Sequence, residues 1–308
     1  MPEITTKIEP IVERINELRI KRQAVILVHN YQRGEIQDIG DFVGDSLELS
    51  RKAAGTNAEV ILFCGVHFMA ETAKILSPEK IVLMPDPNAG CPMANMVTLR
   101  QLRKKKAEHP GAVVVCYVNS TAKIKAESDV CCTSANAEKI IASIPEDKEI
   151  IFVPDKSLGD YAARKMGREL VLWPGFCPTH HRILREYIIQ QKEAHPEAKV
   201  IVHPECTRDV IELADAVGST SQILRFACET EVKEVIVGTE SGMLYRLAKE
   251  NPDKKFYPAS PVADCPNMRL NTLEKVLWSL EDMVYEVTVP EDVGARARGA
   301  IERMLELS

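Results

Sequence analysis

Three short stretches, Ala89-Gly90-Cys91-Pro92, Gly175-Phe176-Cys177-Pro178 and Ala263-Asp264-Cys265-Pro266, each put a cysteine before a proline, at intervals of 86 and 88 residues. Two further landmarks keep this period. Short apolar runs end at His29, before Tyr117 and at His203, and hydroxyl residues recur at Ser46, Ser134 and Thr220, both series at intervals of 88 and 86. Three unrelated features with one period imply three copies of one structural unit. The period is too long for a short-repeat solenoid. Proline fixes its own φ and disfavours helix before it, so each thiol is expected on a loop tip.

The unit can be read from the pattern between landmarks. Apolar spacing of three and four over residues 8–22 predicts an amphipathic helix. Ala24–Val28 follows as a β-branched run suited to a buried parallel strand. Similar runs lie at Val60–Phe63, Ile81–Met84, Val113–Val115, Ile150–Val153, Leu170–Leu172, Val200–Val202 and Val235–Val237, mostly with helical patterns between them. The expected fold class is α/β: three similar three-layer αβα sandwich domains with parallel sheets around a pseudo-threefold axis. The expected boundaries are residues 1–107 with the N-terminal helix, 108–195, 196–288, and a closing helix over 289–308.

Composition narrows the function classes. With a net charge of −6, the chain implies no broad basic surface for nucleic acid, and Arg103-Lys104-Lys105-Lys106 reads as a solvated helix face. No run approaches the roughly 20 apolar residues of a membrane span, and residues 1–22 lack a signal-peptide core. A cytoplasmic protein without membrane or nucleic-acid partners is expected. Nine cysteines, an odd count, argue for thiol or metal chemistry over a disulfide framework.

In parallel α/β sheets, ligands bind beyond the carboxyl ends of the strands. His29, Tyr117 and His203 stand at such ends, so three units facing one axis would bring them together with Cys91, Cys177 and Cys265. The working expectation is three cysteine ligands to one iron–sulfur cluster with one iron open. Ser46, Ser134 and Thr220 are expected at helix starts, where free N–H groups and the helix dipole bind phosphate. His29-Asn30-Tyr31, Tyr117-Val118-Asn119 and His203-Pro204-Glu205 supply acid–base and hydrogen-bonding groups. His67, His109, His180, His181 and His195 are expected to be structural or exposed. Cys64, Cys116 and Cys228 are expected in the core. Core packing is also favoured for Cys131-Cys132 over redox activity, and Cys206 stands close in sequence to His203. There is neither a Gly-Lys-Ser/Thr phosphate loop nor a GxGxxG fingerprint.

Together these residues resemble the quinolinate synthetase A protein family. The likeness covers essentially the whole chain. It is carried by His29-Asn30-Tyr31-Gln32, Gly44-Asp45-Ser46, Phe68-Met69-Ala70-Glu71-Thr72, Gly90-Cys91-Pro92-Met93-Ala94 and Tyr117-Val118-Asn119. It continues through Cys132-Thr133-Ser134-Ala135-Asn136, Gly175-Phe176-Cys177, His203-Pro204-Glu205, Gly218-Ser219-Thr220-Ser221, Gly238-Thr239-Glu240-Ser241-Gly242 and Cys265-Pro266-Asn267-Met268. The resemblance implies one [4Fe–4S] cluster per chain on Cys91, Cys177 and Cys265, the fourth iron being open to substrate. It implies condensation of iminosuccinate with dihydroxyacetone phosphate to quinolinate, with loss of phosphate and water, in NAD biosynthesis. An L-aspartate oxidase or dehydrogenase would supply the imine.

By the same resemblance, His29, Tyr31, Tyr117, His203 and Glu205 are the catalytic candidates. Substrate-binding candidates are His29, Ser46, Tyr117, Val118, Asn119, Ser134, His203, Pro204, Glu205 and Thr220. Some members carry extra cysteines beside the third ligand; this chain has only Cys265 in that motif, so no regulatory disulfide is expected there. Two readings of other classes use the same thiols: a hydro-lyase acting on another small acid, and an iron–sulfur sensor. A sensor would need an output segment, and none is evident. The cysteines are too far apart for the paired knuckles of a structural zinc site.

Overall fold

The computed structural model describes residues 2–308. The first sheet contains β1 (Ala24–His29), β2 (Phe42–Gly44), β3 (Val60–Cys64) and β4 (Ile81–Leu83). The second contains β5 (Val113–Tyr117), β6 (Val130–Cys132), β7 (Ile150–Val153) and β8 (Val171–Leu172). The third contains β9 (Lys199–Val202), β10 (Ala216–Val217), β11 (Glu234–Gly238) and β12 (Lys255–Pro258). The order is the same in each: β2-β1-β3-β4, β6-β5-β7-β8 and β10-β9-β11-β12. The pairings within the sheets are parallel. Three αβα sandwich units of one topology are the expected architecture.

Sequence pattern explains which strands were legible. β1 and β3 are buried along almost their whole length, as parallel strands covered on both faces must be. β2, β6, β10 and β12 were not expected. The first three are edge strands of two or three residues, too short to show a period. The fourth, Lys-Phe-Tyr-Pro, is only half-buried at its aromatic positions and ends in a residue that cannot donate to a ladder.

Helices pack both faces, and two come from the far end of the chain. Helix Pro2–Lys21 and helix Leu273–Asp282 pack together over β1 and β3, joining Ile15 and Leu18 to Val276 and Leu280 in a core beneath the first sheet. Helix Glu291–Glu306 lies on β6 and on helices Ala122–Lys125 and His67–Leu76, so it seals the seam between the first two units. The largest core runs continuously through all three units. That continuity holds three sets of strand ends at fixed mutual positions, and the site depends on it. Among the described residues no helix is long and apolar enough to cross a membrane.

Candidate active site

Each repeat delivers its chemistry at the same places. His29 closes β1, Tyr117 closes β5 and His203 follows β9. Each cysteine precedes a short 3-10 helix: Met93–Asn95, His180–Arg182 or Met268–Leu270. Proline directly after the cysteine suits the first position of such a turn, where no N–H is missed. Backbone N–H groups two or three residues on then aim at each sulfur: Met93 and Ala94 at Cys91, His180 at Cys177, Asn267 and Met268 at Cys265.

A cavity of about 520 Å³ lies where the units meet, and Cys91, Cys177 and Cys265 all line it. So do His29, Tyr31, Ser46, Tyr117, Asn119, Ser134, His203, Glu205 and Thr220. Val118 and Pro204 do not: both are buried behind the wall, and Val118 instead borders a small void.

The two strand-end imidazoles are set alike. Nδ1 of His29 accepts the Tyr31 N–H at 3.2 Å, and Nδ1 of His203 accepts the Glu205 N–H at 3.2 Å. Nε2 therefore carries the hydrogen in each neutral ring, and that of His203 lies 3.2 Å from Ser134 Oγ. Burial pushes both imidazoles down to about 3 against the pull of Glu205, with His180 lowering His203 further. They are neutral donors at physiological pH, not rings poised near neutrality.

Glu205 is the hub. Its Oε1 accepts from the Tyr117 hydroxyl at 2.6 Å and Asn119 Nδ2 at 3.4 Å, and its Oε2 lies 2.7 Å from His180 Nδ1. Burial opposes its charge, but His180, His203 and Tyr117 together hold the carboxyl well below the usual range. Burial and the charge of Glu205 push both Tyr31 and Tyr117 well up, so both stay protonated.

His180 was expected to be structural or exposed; it is buried in this cavity. The ionised Glu205 can only accept, so His180 Nδ1 carries the hydrogen. Nε2 faces Thr239 Oγ1 at 2.9 Å, and that hydroxyl is 2.6 Å from Tyr31 OH. One directed chain results: Tyr31 to Thr239 to His180 to Glu205. Glu240 was also missed. Its Oε1 accepts from Arg269 Nη2 at 2.6 Å and from the Cys265 N–H at 3.1 Å, and its Oε2 accepts the Gly242 N–H at 2.7 Å. Burial raises its carboxyl to about 7 even against Arg269.

Two of the three hydroxyl residues start helices as expected, and Ser134 does not. Ser46 and Thr220 are first helical residues, but the caps are Asp45 and Ser219. Ser134 lies in a turn ahead of helix Ala137–Ala142, whose N-cap is Asn136. Capping falls to the preceding residue in two of the three, and Ser46 and Thr220 line the cavity, where Thr220 Oγ1 accepts from Asn30 Nδ2 at 2.7 Å and keeps its own hydrogen to donate. Cys228, expected in the core, is exposed. Cys64, Cys116, Cys131, Cys132 and Cys206 are buried, and none lines the cavity.

The donor set fits an iron–sulfur cluster. Burial raises all three facing thiols, Cys91 to about 12, so they would ionise in this apolar-walled cavity only with a cationic centre to bind them, which an iron–sulfur cluster supplies. The N–H groups aimed at each sulfur are the arrangement that stabilises cluster ligands. Cys177, His180 and Glu205 also come within 4.8 Å of one another and could cradle a single ion. In that set His180 Nδ1 is already committed to Glu205, and Cys91 and Cys265 would be left without a role.

Fold and site together define a three-unit α/β enzyme with one central cavity, three converging thiols and a directed chain of buried acid–base groups. Residues 13–306 match the family described as NadA, quinolinate synthetase A protein. The chain belongs to that family. It is 58% identical over 299 residues to a quinolinate synthase of Dehalococcoides mccartyi strain CBDB1, covering 97% of this chain and 99% of the relative. It is 55% identical over 295 residues to a quinolinate synthase of Methanosarcina barkeri, covering 96% and 97%. Among solved structures, a Plasmodium falciparum E-1-hydroxy-2-methyl-but-2-enyl-4-diphosphate reductase matches at TM-score 0.31 and 13% identity over 90% of this chain and 83% of that one, too slight to inform fold or function.

Proposed function

We propose that this chain condenses iminosuccinate with dihydroxyacetone phosphate to quinolinate, releasing phosphate and water, as a transferase of NAD biosynthesis. An L-aspartate oxidase or dehydrogenase would supply the imine. The observation that carries the reading is the convergence of Cys91, Cys177 and Cys265 on the cavity that holds Glu205 and its partners. These three cysteines would hold a [4Fe–4S] cluster, whose open iron, when bound, supplies a Lewis acid without net redox change.

The chain's own residues account for the rest. Ser46, Ser134 and Thr220 stand at or near helix N-termini, and they bind phosphate or carboxylate oxygens through hydroxyl and backbone N–H. His29 and His203, held neutral, donate from Nε2 to carbonyl or carboxylate oxygens. Among the described residues the Asn119 amide oxygen is buried without a partner at the cavity wall, so it can accept an N–H or O–H of the substrate. Glu205 accepts a proton at Oε1 or Oε2, and Tyr117, at 2.6 Å, passes one to or from the substrate. The mostly apolar wall lowers the polarity around the reacting groups and so favours dehydration. The test is anaerobic protein supplied with both substrates: quinolinate and phosphate should appear together. Phosphate release without quinolinate, or neither product, refutes the reading.

A further inference from the structure

Asn30 breaks the repeat. Its equivalents, at intervals of 88 and 86 residues, are Val118 and Pro204, whose side chains cannot hydrogen-bond. Val118, from the second unit, borders a small void with Ser46 of the first. Asn30, from the first unit, is wholly buried and donates from Nδ2 to Thr220 Oγ1 of the third at 2.7 Å. One of the three hydroxyl positions thus has a polar partner where another has an apolar one.

The direction of this bond is set from outside the cavity. Helix Met243–Glu250 of the third unit carries Arg246. Its Nη1 donates to Asn30 Oδ1 at 2.6 Å and to the Val43 carbonyl at 2.8 Å. Its Nε pairs with Glu250 Oε1 at 2.7 Å, one turn on, which holds the guanidinium in place. A guanidinium can only donate, so the amide atom facing it must be the oxygen and the atom facing Thr220 must be the nitrogen. Thr220 Oγ1 therefore accepts. Its own hydrogen has no protein acceptor among the described residues, and Thr220 lines the central cavity.

A second hydroxyl is set in the same sense by other means. Nε2 of His203 carries the hydrogen and lies 3.2 Å from Ser134 Oγ, so Ser134 accepts and keeps its own hydrogen. Two of the three cavity hydroxyls are thus preset to give a hydrogen, and only a ligand that accepts can meet both.

We propose that Arg246 and Asn30 are positioning residues that fix the Thr220 hydroxyl as a donor to an anionic oxygen in the central cavity, so that this subsite takes a carboxylate or phosphate. The proposal deepens the function given above and rests on it for the choice of ligand. Turning the Thr220 hydrogen away from the cavity would set O–H against the Asn30 N–H. Reversing Asn30 to receive it would set the amide NH2 against the guanidinium. Without Arg246 the second obstacle is gone: the amide can reverse, and Thr220 then spends its hydrogen on Asn30 Oδ1 instead of on the ligand.

The test is a double-mutant cycle on the full-length chain, purified and handled without oxygen. Affinities for quinolinate and for inorganic phosphate are measured by calorimetry, with iron content on each sample. Arg246→Met should lose about tenfold or more in affinity for at least one probe, as expected for one hydrogen bond to a charged group. Arg246→Lys, which still donates to Asn30, should stay within about threefold of wild type. Thr220→Val lowers affinity by itself, and in that background Arg246→Met should lose nothing further. A merely structural role, loosening the joint between units, would lower affinity equally in both backgrounds. That result, wild-type binding by Arg246→Met, or a wild type that binds neither probe overturns the proposal. If Arg246→Met does not fold, Asn30→Asp takes its place: the carboxylate keeps Arg246 as partner but accepts the Thr220 hydrogen. Its charge acts in both backgrounds and its reversal of Thr220 in only one, so its loss should be about tenfold smaller beside Thr220→Val, and equal losses overturn the proposal. Quinolinate formation is assayed separately. No turnover with the expected coupling refutes the functional reading alone; turnover with additive losses refutes the positioning role alone.

Discussion

Replacing Glu205 with Gln isolates the hub of the site. The substitution conserves volume, so it opens no cavity; it removes one buried charge. One amide oxygen can still accept from Tyr117, which sits 2.6 Å from Oε1. The other position becomes an NH2 facing His180 Nδ1, which lies 2.7 Å from Oε2. Two donors then meet, and His180 must move its hydrogen to Nε2, which reverses the chain through Thr239 to Tyr31. A single positioned acid or base contributes about 10²–10⁴ in rate, or about 2.7–5.4 kcal/mol of barrier at about 1.36 kcal/mol per tenfold. The expected outcome is a kcat lower by that factor with iron content unchanged, since no cysteine is touched. The assay is anaerobic quinolinate formation beside iron analysis on the same sample. Turnover within about threefold of wild type would remove Glu205 from proton transfer and break the argument built on its partners.

Three further outcomes follow from particular contacts. A Cβ at Gly175 would clash with the Pro154 carbonyl oxygen, so Gly175→Ala should displace the Cys177 loop and lower bound iron, whereas full iron retention would show that the loop yields freely. Glu240→Gln loses its ion pair with Arg269 and can keep only part of its grip on the Cys265 and Gly242 N–H groups; iron removal by a chelator should quicken about tenfold, equivalent to about 1.4 kcal/mol, and wild-type chelation kinetics would count against a role for Glu240 in holding the Cys265 loop. His29 and His203, neutral in the fold down to about pH 3, titrate near 6.5 when unfolded, so acid favours the unfolded chain: their contribution is complete above about pH 6.5 and declines toward 3. Metal-free protein should lose about 2 kcal/mol per histidine between pH 6.5 and 5, and a flat urea midpoint over that range would contradict the burial of neutral imidazole.

The repeat period made the architecture legible because each unit repeats its strand ends, its turn after the cysteine and its hydroxyl at the same rank. Residues that break the symmetry were not legible. Ala94 and Met268 are the repeat equivalents of His180, so the period offered no signal there. The local signal was Cys177-Pro178-Thr179-His180, a turn that brings its first and fourth residues together. Glu240 likewise has Val66 and Pro154 as equivalents, and only its place after β11 hinted at the site. The protonation states were beyond sequence altogether. A histidine that looks poised near neutrality becomes a fixed donor only when three sheets close around it, and no local pattern encodes that burial. The caps were illegible for a related reason: Asp45 and Ser219 are cap residues as good as Ser46 and Thr220, and only the fold shows which side chains face the axis.

The decisive measurement is iron and acid-labile sulfide per chain in protein purified without oxygen, for wild type and for Cys91→Ser, Cys177→Ser and Cys265→Ser. About four of each in wild type, as a [4Fe–4S] cluster requires, and loss in all three variants would establish the three-thiol centre. Wild-type protein that holds no iron after anaerobic reconstitution, or variants that retain it in full, would contradict it.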